Sequence, residues 1–165
     1  MIEADKREAS YILGHSEAEI TRLQTQAKIL RPITERLLRS AGARPGMRVL
    51  DLGSGAGDVA MLAAELVGPS GSVVGIDRNS QVLSIATERA NRAGFKHLSF
   101  HEAAVETFGD DAGFDLVVGR YVLHHQTDPV AFLRAAARVA RPGGSMAFHE
   151  IRLRDMWRSV PSVPL

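Results

Sequence analysis

The stretch Val49-Leu50-Asp51-Leu52-Gly53-Ser54-Gly55-Ala56-Gly57-Asp58 decides the reading of this chain. It is a short apolar strand, then glycines at every second position, then a helix start. Glycine permits a tight turn and lets backbone approach a ligand closely. The helix N-terminus behind the turn presents free N–H groups and a partial positive charge. Three ligand classes use such a loop. A P-loop needs G-x-x-x-x-G-K-[ST], and the lack of a lysine here excludes it. A dinucleotide site needs G-x-G-x-x-G, but Asp58 stands where the third glycine belongs and would repel a pyrophosphate. The third class is a ligand without phosphate. Asp51 before the loop and Asp58 after it then suit an ammonium or sulfonium charge.

Outward from the loop the chain alternates strand and helix signals. Arg48 to Leu52 reads as a buried strand and Asp58 to Val67 as an Ala-rich helix. Gly68-Pro69-Ser70-Gly71 is a turn, and Ser72 to Ile76 is a second strand. A helix over Ser80 to Ala93 has Ser80 as its cap. His97 to His101 is a weaker third strand and Phe114 to Gly119 a fourth. Asp128 to Ala140 is a helix with Pro129 in its first turn, where proline is tolerated. Pro142-Gly143-Gly144 turns into a fifth strand, Ser145 to Ile151. This pattern predicts a doubly wound, parallel α/β sheet with helices on both faces. Ligands bind such sheets at the carboxyl ends of the strands, so the chemistry is expected just after Leu52, Ile76, His101, Gly119 and Phe148.

Upstream, Ile20, Leu23, Ala27, Leu30 and Leu37 recur at three- and four-residue steps. They predict an amphipathic leader helix, with Ser16 and Glu19 as a capping box and a kink or two helices at Pro32. The expected division is a helical leader or lid over 1–45, a ligand-binding domain over 46–151, and a tail over 152–165.

Composition narrows the function. The chain has 165 residues, 45% of them apolar and 24% charged, the balance of an ordinary globular domain. Lys plus Arg number 20 and Asp plus Glu 19, for a net charge of +1. That argues against a dedicated nucleic-acid partner. There are no cysteines, which excludes a disulfide framework, a Cys-ligated zinc and a thiol nucleophile. A reducing cytoplasm is the expected location. No apolar run reaches the 18 or so residues of a membrane span, so no membrane partner is expected. The charged residues 1–10 lack the apolar core of a secretory signal.

Val49 to Gly57 resembles the first motif of class I S-adenosylmethionine (SAM) methyltransferases. Further landmarks follow in that family's order. Val74-Gly75-Ile76-Asp77 is similar to its second motif. Phe114 to Gly119 followed by Val122-Leu123-His124-His125 resembles its fourth-strand motif. Arg141-Pro142-Gly143-Gly144 resembles its turn before the fifth strand. The resemblance spans roughly residues 10–151, and it is strongest to the ubiquinone/menaquinone-type small-molecule enzymes. In several of these the leader resembles Tyr11-x-Leu13-Gly14-His15-Ser16. The implied fold is Rossmann-like, with about five parallel strands in the order 3-2-1-4-5. The implied activity is in-line methyl transfer from SAM to a small-molecule acceptor.

The resemblance also implies site roles. Asp77 would accept from the ribose hydroxyls, since a carboxylate offers two acceptor oxygens to a diol. Gly53, Ser54 and Gly55 would line the methionine part. Asp51 would hold the ammonium, directly or through water, or else only order the loop. Arg78 would cover the adenine or be a solvated surface residue. The adenine contact falls at Ala104 and Val105, with Glu102 replacing them on a register shift. Arg120 would pair with the SAM carboxylate or lie on the surface. Tyr11 would cap the site, and Gln26 would reach it from the leader helix, if they are not simply packing residues. Among the six histidines, no metal-binding spacing is visible. His124 and His149 are the candidates for a base, with no catalytic residue assigned.

The family's sheet ends in a hairpin that this sequence does not supply. The fifth strand is therefore expected at an open edge, Met146-Ala147-Phe148, which invites pairing with another chain. A truncated enzyme, a homodimer through that edge, and a SAM-binding module without catalysis are the resulting expectations. A nucleotide-cofactor oxidoreductase is the competing reading of the loop.

Overall fold

The computed structural model describes residues 17–109 and 113–151, with side chains from residue 29 onward. Two compact units divide the chain, Met1–Thr34 and Glu35–Leu165. The helix α1 runs Glu17–Ser40 and contains Pro32. Of the two arrangements expected at Pro32, a kink or two helices, the second does not occur: one helix runs through the proline. Ser16 lies outside the described residues, as does the side chain of Glu19.

The second unit is built on strands β1 Arg48–Leu52, β2 Ser72–Asp77, β3 Leu98–Glu102, β4 Phe114–Arg120 and β5 Ala140–His149. The helices α2 Asp58–Val67, α3 Ser80–Arg92 and α4 Pro129–Val139 alternate with them. The sheet order is β3-β2-β1-β4-β5, with every pair parallel. This is the fold expected from the sequence.

Strand alternation divides the core between two faces. Val49, Val73, Leu116 and Val118 pack with Leu38 and with Ala60, Ala63, Ala64 and Val67 of α2. Leu50, Leu52, Ile76 and Val117 pack with Phe132, Ala135, Ala136 and Val139 of α4. Both faces are covered, so β1 and β4 are buried along nearly their whole length.

Local signals shift some boundaries. Asn79, not Ser80, caps α3: its Oδ1 accepts from the backbone N–H groups of Gln81 (3.0 Å) and Val82 (3.3 Å). The amide oxygen reaches the second and third N–H groups of the helix from that position. Asp128 caps α4 in the same way, through Val130 and Ala131.

The largest departure is in β5. It begins at Ala140 and ends at His149, where the sequence suggests Ser145 to Ile151. Ala140 already pairs with Phe114, and Ser145 then pairs with Leu116. The Pro-Gly-Gly segment is thus a bulge inside the strand, not a turn before it. Gly144 fits because a Cβ there would lie 2.8 Å from the Phe114 carbonyl oxygen. Asp115 fastens the bulge. Its Oδ2 accepts from the Arg48 backbone N–H (2.7 Å) and its Oδ1 from the Arg141 guanidinium. The Arg48 N–H, with the help of Arg141, holds this carboxyl below the usual range.

Met146 on β5 is 42% exposed, and among the described residues β5 is the last strand of the sheet. Among the described residues, no helix is long and apolar enough to cross a membrane.

Candidate functional site

The glycine loop follows β1 and is tied to the end of β2. The Ser54 N–H donates to the Ile76 carbonyl (2.9 Å). The Gly55 N–H donates to Asp77 Oδ2 (2.9 Å), and the Asn79 N–H donates to Asp77 Oδ1 (3.0 Å). Each Asp77 oxygen keeps further lone-pair capacity. Gly55 takes φ +50°, which side chains rarely adopt, and nothing lies within 4 Å of where its Cβ would be. Gly75 on β2 serves differently. A Cβ there would meet Phe100 at 2.5 Å and Ser54 Cβ at 3.0 Å, so its lack of a side chain lets the loop settle on the strand. Gly53 lies beside Val122, 3.2 Å from where its own Cβ would be.

Asp51 sits beneath this loop, 1% exposed. Burial pushes its carboxyl up to about 8, against the opposing pull of the Arg120 guanidinium. Among the described residues, its Oδ2 has no hydrogen-bond partner, and neither does the buried Oγ of Ser54. Asp58, at the start of α2, is compensated. Arg89 Nη2 bonds it at 2.7 Å, Arg89 also donates to the Ala56 carbonyl, and Arg120 Nη2 lies 3.9 Å away. Arg120 is therefore 16% exposed within an acid-lined site, not a surface arginine. Arg89 was not singled out by the sequence. Its signal is weak, since it stands 31 residues from its partner in a helix that also carries Arg92.

Two orphaned buried oxygens, a free-sided glycine and a carboxylate with spare acceptor capacity suit a cationic ligand that carries hydroxyls and no phosphate. SAM is such a ligand.

The β3 side is looser. Arg78 is 68% exposed in its side chain and lies 3.3 Å from Glu106. Ala104 is half-buried, and its carbonyl accepts from Thr107 and Phe108. Val105 is buried with Leu50, Ile76 and Phe114. Glu102 pairs with Asp77 in register and is exposed. Tyr11 and His15 lie outside the described residues, as does the side chain of Gln26.

At the other end of the strand edge, Tyr121 follows β4 with φ 58°, and its N–H donates to the His149 carbonyl (2.8 Å). Its ring lies 5.1 Å from that of His149 and 6.4 Å from that of His124. His124 and His125 have ring centroids 3.9 Å apart. Glu150 Oε1 accepts from the N–H groups of Val122 (2.9 Å) and Leu123 (3.0 Å), and Oε2 meets His124 Nδ1 at 3.1 Å. Burial and the Arg120 charge push His149 down from the usual imidazole range. Burial and the neighbouring His124 do the same to His125. The sequence marks both candidate histidines, but Glu150 only as a neighbour of His149. Among the described residues, no group of three or more His, Cys, Asp or Glu is placed to hold a metal ion.

The family described as "Methyltransferase domain" matches residues 43–163. An arsenite methyltransferase of Aquipseudomonas alcaligenes is 37% identical, over 68% of this chain and 36% of its own length. A ubiquinone/menaquinone biosynthesis C-methyltransferase of Shewanella sediminis is 35% identical, over 68% of this chain and 46% of its own. The chain thus spans less than half the length of these relatives. Among solved structures, a SAM-dependent methyltransferase from Aquifex aeolicus superposes with a TM-score of 0.65 at 29% identity. It covers 70% of this chain and 62% of that one.

Proposed function

This chain belongs to the class I SAM-dependent methyltransferase family, and we propose that it transfers a methyl group from SAM to a small-molecule acceptor by in-line displacement. The observation that carries the proposal is the Gly55–Asp77 hydrogen bond. It fixes a carboxylate and an open glycine turn side by side at the carboxyl ends of β1 and β2.

Bound there, SAM supplies a methyl carbon already activated by its sulfonium sulfur. Asp77 would accept from the ribose hydroxyls. Gly53, Ser54 and Gly55 would line the methionine part, with the orphaned Asp51 and Ser54 oxygens turned to its polar end. A cation beside Asp51 favours ionised carboxylate over the neutral acid that burial imposes. Arg120 would balance the SAM carboxylate. Ala104 and Val105 would border the adenine, with Arg78 as its solvent-side cover. The protein's main task is then to align the acceptor behind the methyl and exclude water.

The near-zero net charge supports a small molecule over a nucleic acid as acceptor. The absence of cysteine supports a cytoplasmic setting. The exposed Met146 on the last strand supports a homodimer through the β5 edge.

Calorimetric titration with SAM and with S-adenosylhomocysteine tests the proposal. Binding of both is expected. Asp77→Ala removes ligand hydrogen bonds to a charged group and frees the Gly55 N–H, for an expected loss of about 100-fold in affinity. Absence of binding by the folded wild-type chain, or equal binding by the variant, refutes it.

A further inference from the structure

The cofactor reading leaves the cluster at the ends of β4 and β5 unused, and this cluster is built like a proton-handling site. Glu150 reaches back across 26 residues to His124. Two backbone N–H groups, those of Val122 and Leu123, fix its carboxylate independently of the ring. A carboxylate only accepts, so the proton of a neutral His124 sits on Nδ1 and Nε2 keeps its lone pair. The imidazole remains reachable, with 41% of its side chain exposed. Tyr121 beside it holds a left-handed backbone conformation. Such strain in a non-glycine residue persists only where the surroundings impose it, and it clusters at functional sites. The rings of Tyr121, His124, His125 and His149 pack against one another, an aromatic surface against which a flat aromatic acceptor can stack. In the sheet order, β4 lies directly beside β1, so this cluster borders the glycine loop.

We propose that His124 is the general base for the methyl acceptor, that Glu150 positions it, and that the acceptor is a phenol. The inference rests on the methyl-transfer reading above. In the step it assigns, the phenol O–H bond breaks and an N–H bond forms at His124 Nε2. The freed oxygen pair forms the C–O bond with the SAM methyl carbon while the S–C bond breaks, its pair returning to sulfur. The imidazolium faces the Glu150 carboxylate and then releases its proton to solvent. Burial keeps His125 and His149 neutral beside it, so Arg120 is the nearby fixed cation.

The test uses two phenolic probes near neutral pH, 1-naphthol, which is un-ionised there, and pentafluorophenol, which is already an anion. His124→Gln should slow methylation of 1-naphthol by about 10²- to 10⁴-fold. The pre-ionised probe bypasses the base and should change by less than about threefold. Glu150→Gln keeps an oxygen for the Val122 and Leu123 N–H groups but turns an amide N–H toward Nδ1, which forces the wrong tautomer. It should show the same split. Independently, ¹⁵N NMR of the wild-type chain should find the proton of neutral His124 on Nδ1, and Glu150→Gln should move it to Nε2. Equal losses with both probes, a proton on Nε2 in the wild type, or no methylation of either probe by SAM-loaded protein overturns the proposal. Loss of SAM binding itself, measured by calorimetry, is instead a failure of the cofactor reading.

Discussion

The two ends of the sheet's carboxyl edge are made by different means. At β1 and β2 the contacts are between backbone and carboxylate, with Gly55 bonding Asp77 and Gly75 making room for Ser54. At β4 and β5 a carboxylate again takes backbone N–H groups, but it also reaches a side chain: Glu150 holds Val122, Leu123 and His124, beside Tyr121 at φ 58°. The first end is shaped by what the chain lacks, namely side chains. The second is shaped by register, which brings Arg120 opposite His149. A glycine turn tied to one carboxylate can serve one ligand in many enzymes, whereas side chains placed by register can differ from one to the next.

Three experiments press on that contrast. The largest effect is expected at Asp51. Its carboxyl is pushed from 3.8 to about 8 by burial. Between those values the folded chain keeps a proton that the unfolded chain has released. Stability should therefore fall as pH rises across that window, by up to about 1.4 kcal/mol per unit, and level off above it. Asp51→Asn removes the slope. Urea unfolding at about pH 5, 6.5 and 8 checks this, and identical slopes in the two proteins would mean that Asp51 is paired, not orphaned.

Next is Gly75→Ala. Its Cβ would fall 2.5 Å from Phe100 and 3.0 Å from Ser54, a crowding that costs about 1–3 kcal/mol. Thermal unfolding should drop by several degrees, and SAM affinity should drop with it as the loop lifts from β2. An unchanged Tm would show that Phe100 simply swings aside.

The smallest effect is at Tyr121. Tyr121→Asn should leave stability within about 0.5 kcal/mol, because asparagine tolerates the left-handed region and relief of strain offsets the lost ring contacts. Tyr121→Val, β-branched, should cost about 1–2 kcal/mol in the same position. Equal costs would place the importance of Tyr121 in its ring, not its backbone.

The geometry of the first end was legible in the sequence because each part marks a strand end. The glycines at 53 and 55 close β1 and Asp77 closes β2, and each has a conformational or charge reason visible in its own motif, although Gly55 and Asp77 stand 22 residues apart. The parallel sheet followed from the alternation of apolar runs and helices, and its strand order from the resemblance to class I SAM methyltransferases. The second end was only half legible. His124 and His149 could be noticed as histidines, but the bond from Glu150 depends on where β5 stops, and that depends on the bulge. Arg89 escaped notice because its partner Asp58 is near only in the folded chain. Asn79 took the cap expected of Ser80, since both residue types cap helices and only geometry separates them. The adenine side stayed open for a similar reason: Val105 is core, and Ala104 has no side chain with which to announce a contact.

The bulge of β5 reaches further than its size suggests. Between Ala140 and Ser145 the strand advances while β4 moves only from Phe114 to Leu116, and Asp115 clamps the excess in place. Side chains downstream alternate between faces with a period of two. Deleting one residue from that segment would turn Ala147 out of the core and swing Glu150 away from His124, roughly 16 Å from the deletion. The segment's letters are constrained as well as their number: Arg141 is the partner that ties it to Asp115, and Gly143 takes φ +78°. The segment works as a spacer whose length sets which face each later residue of β5 presents.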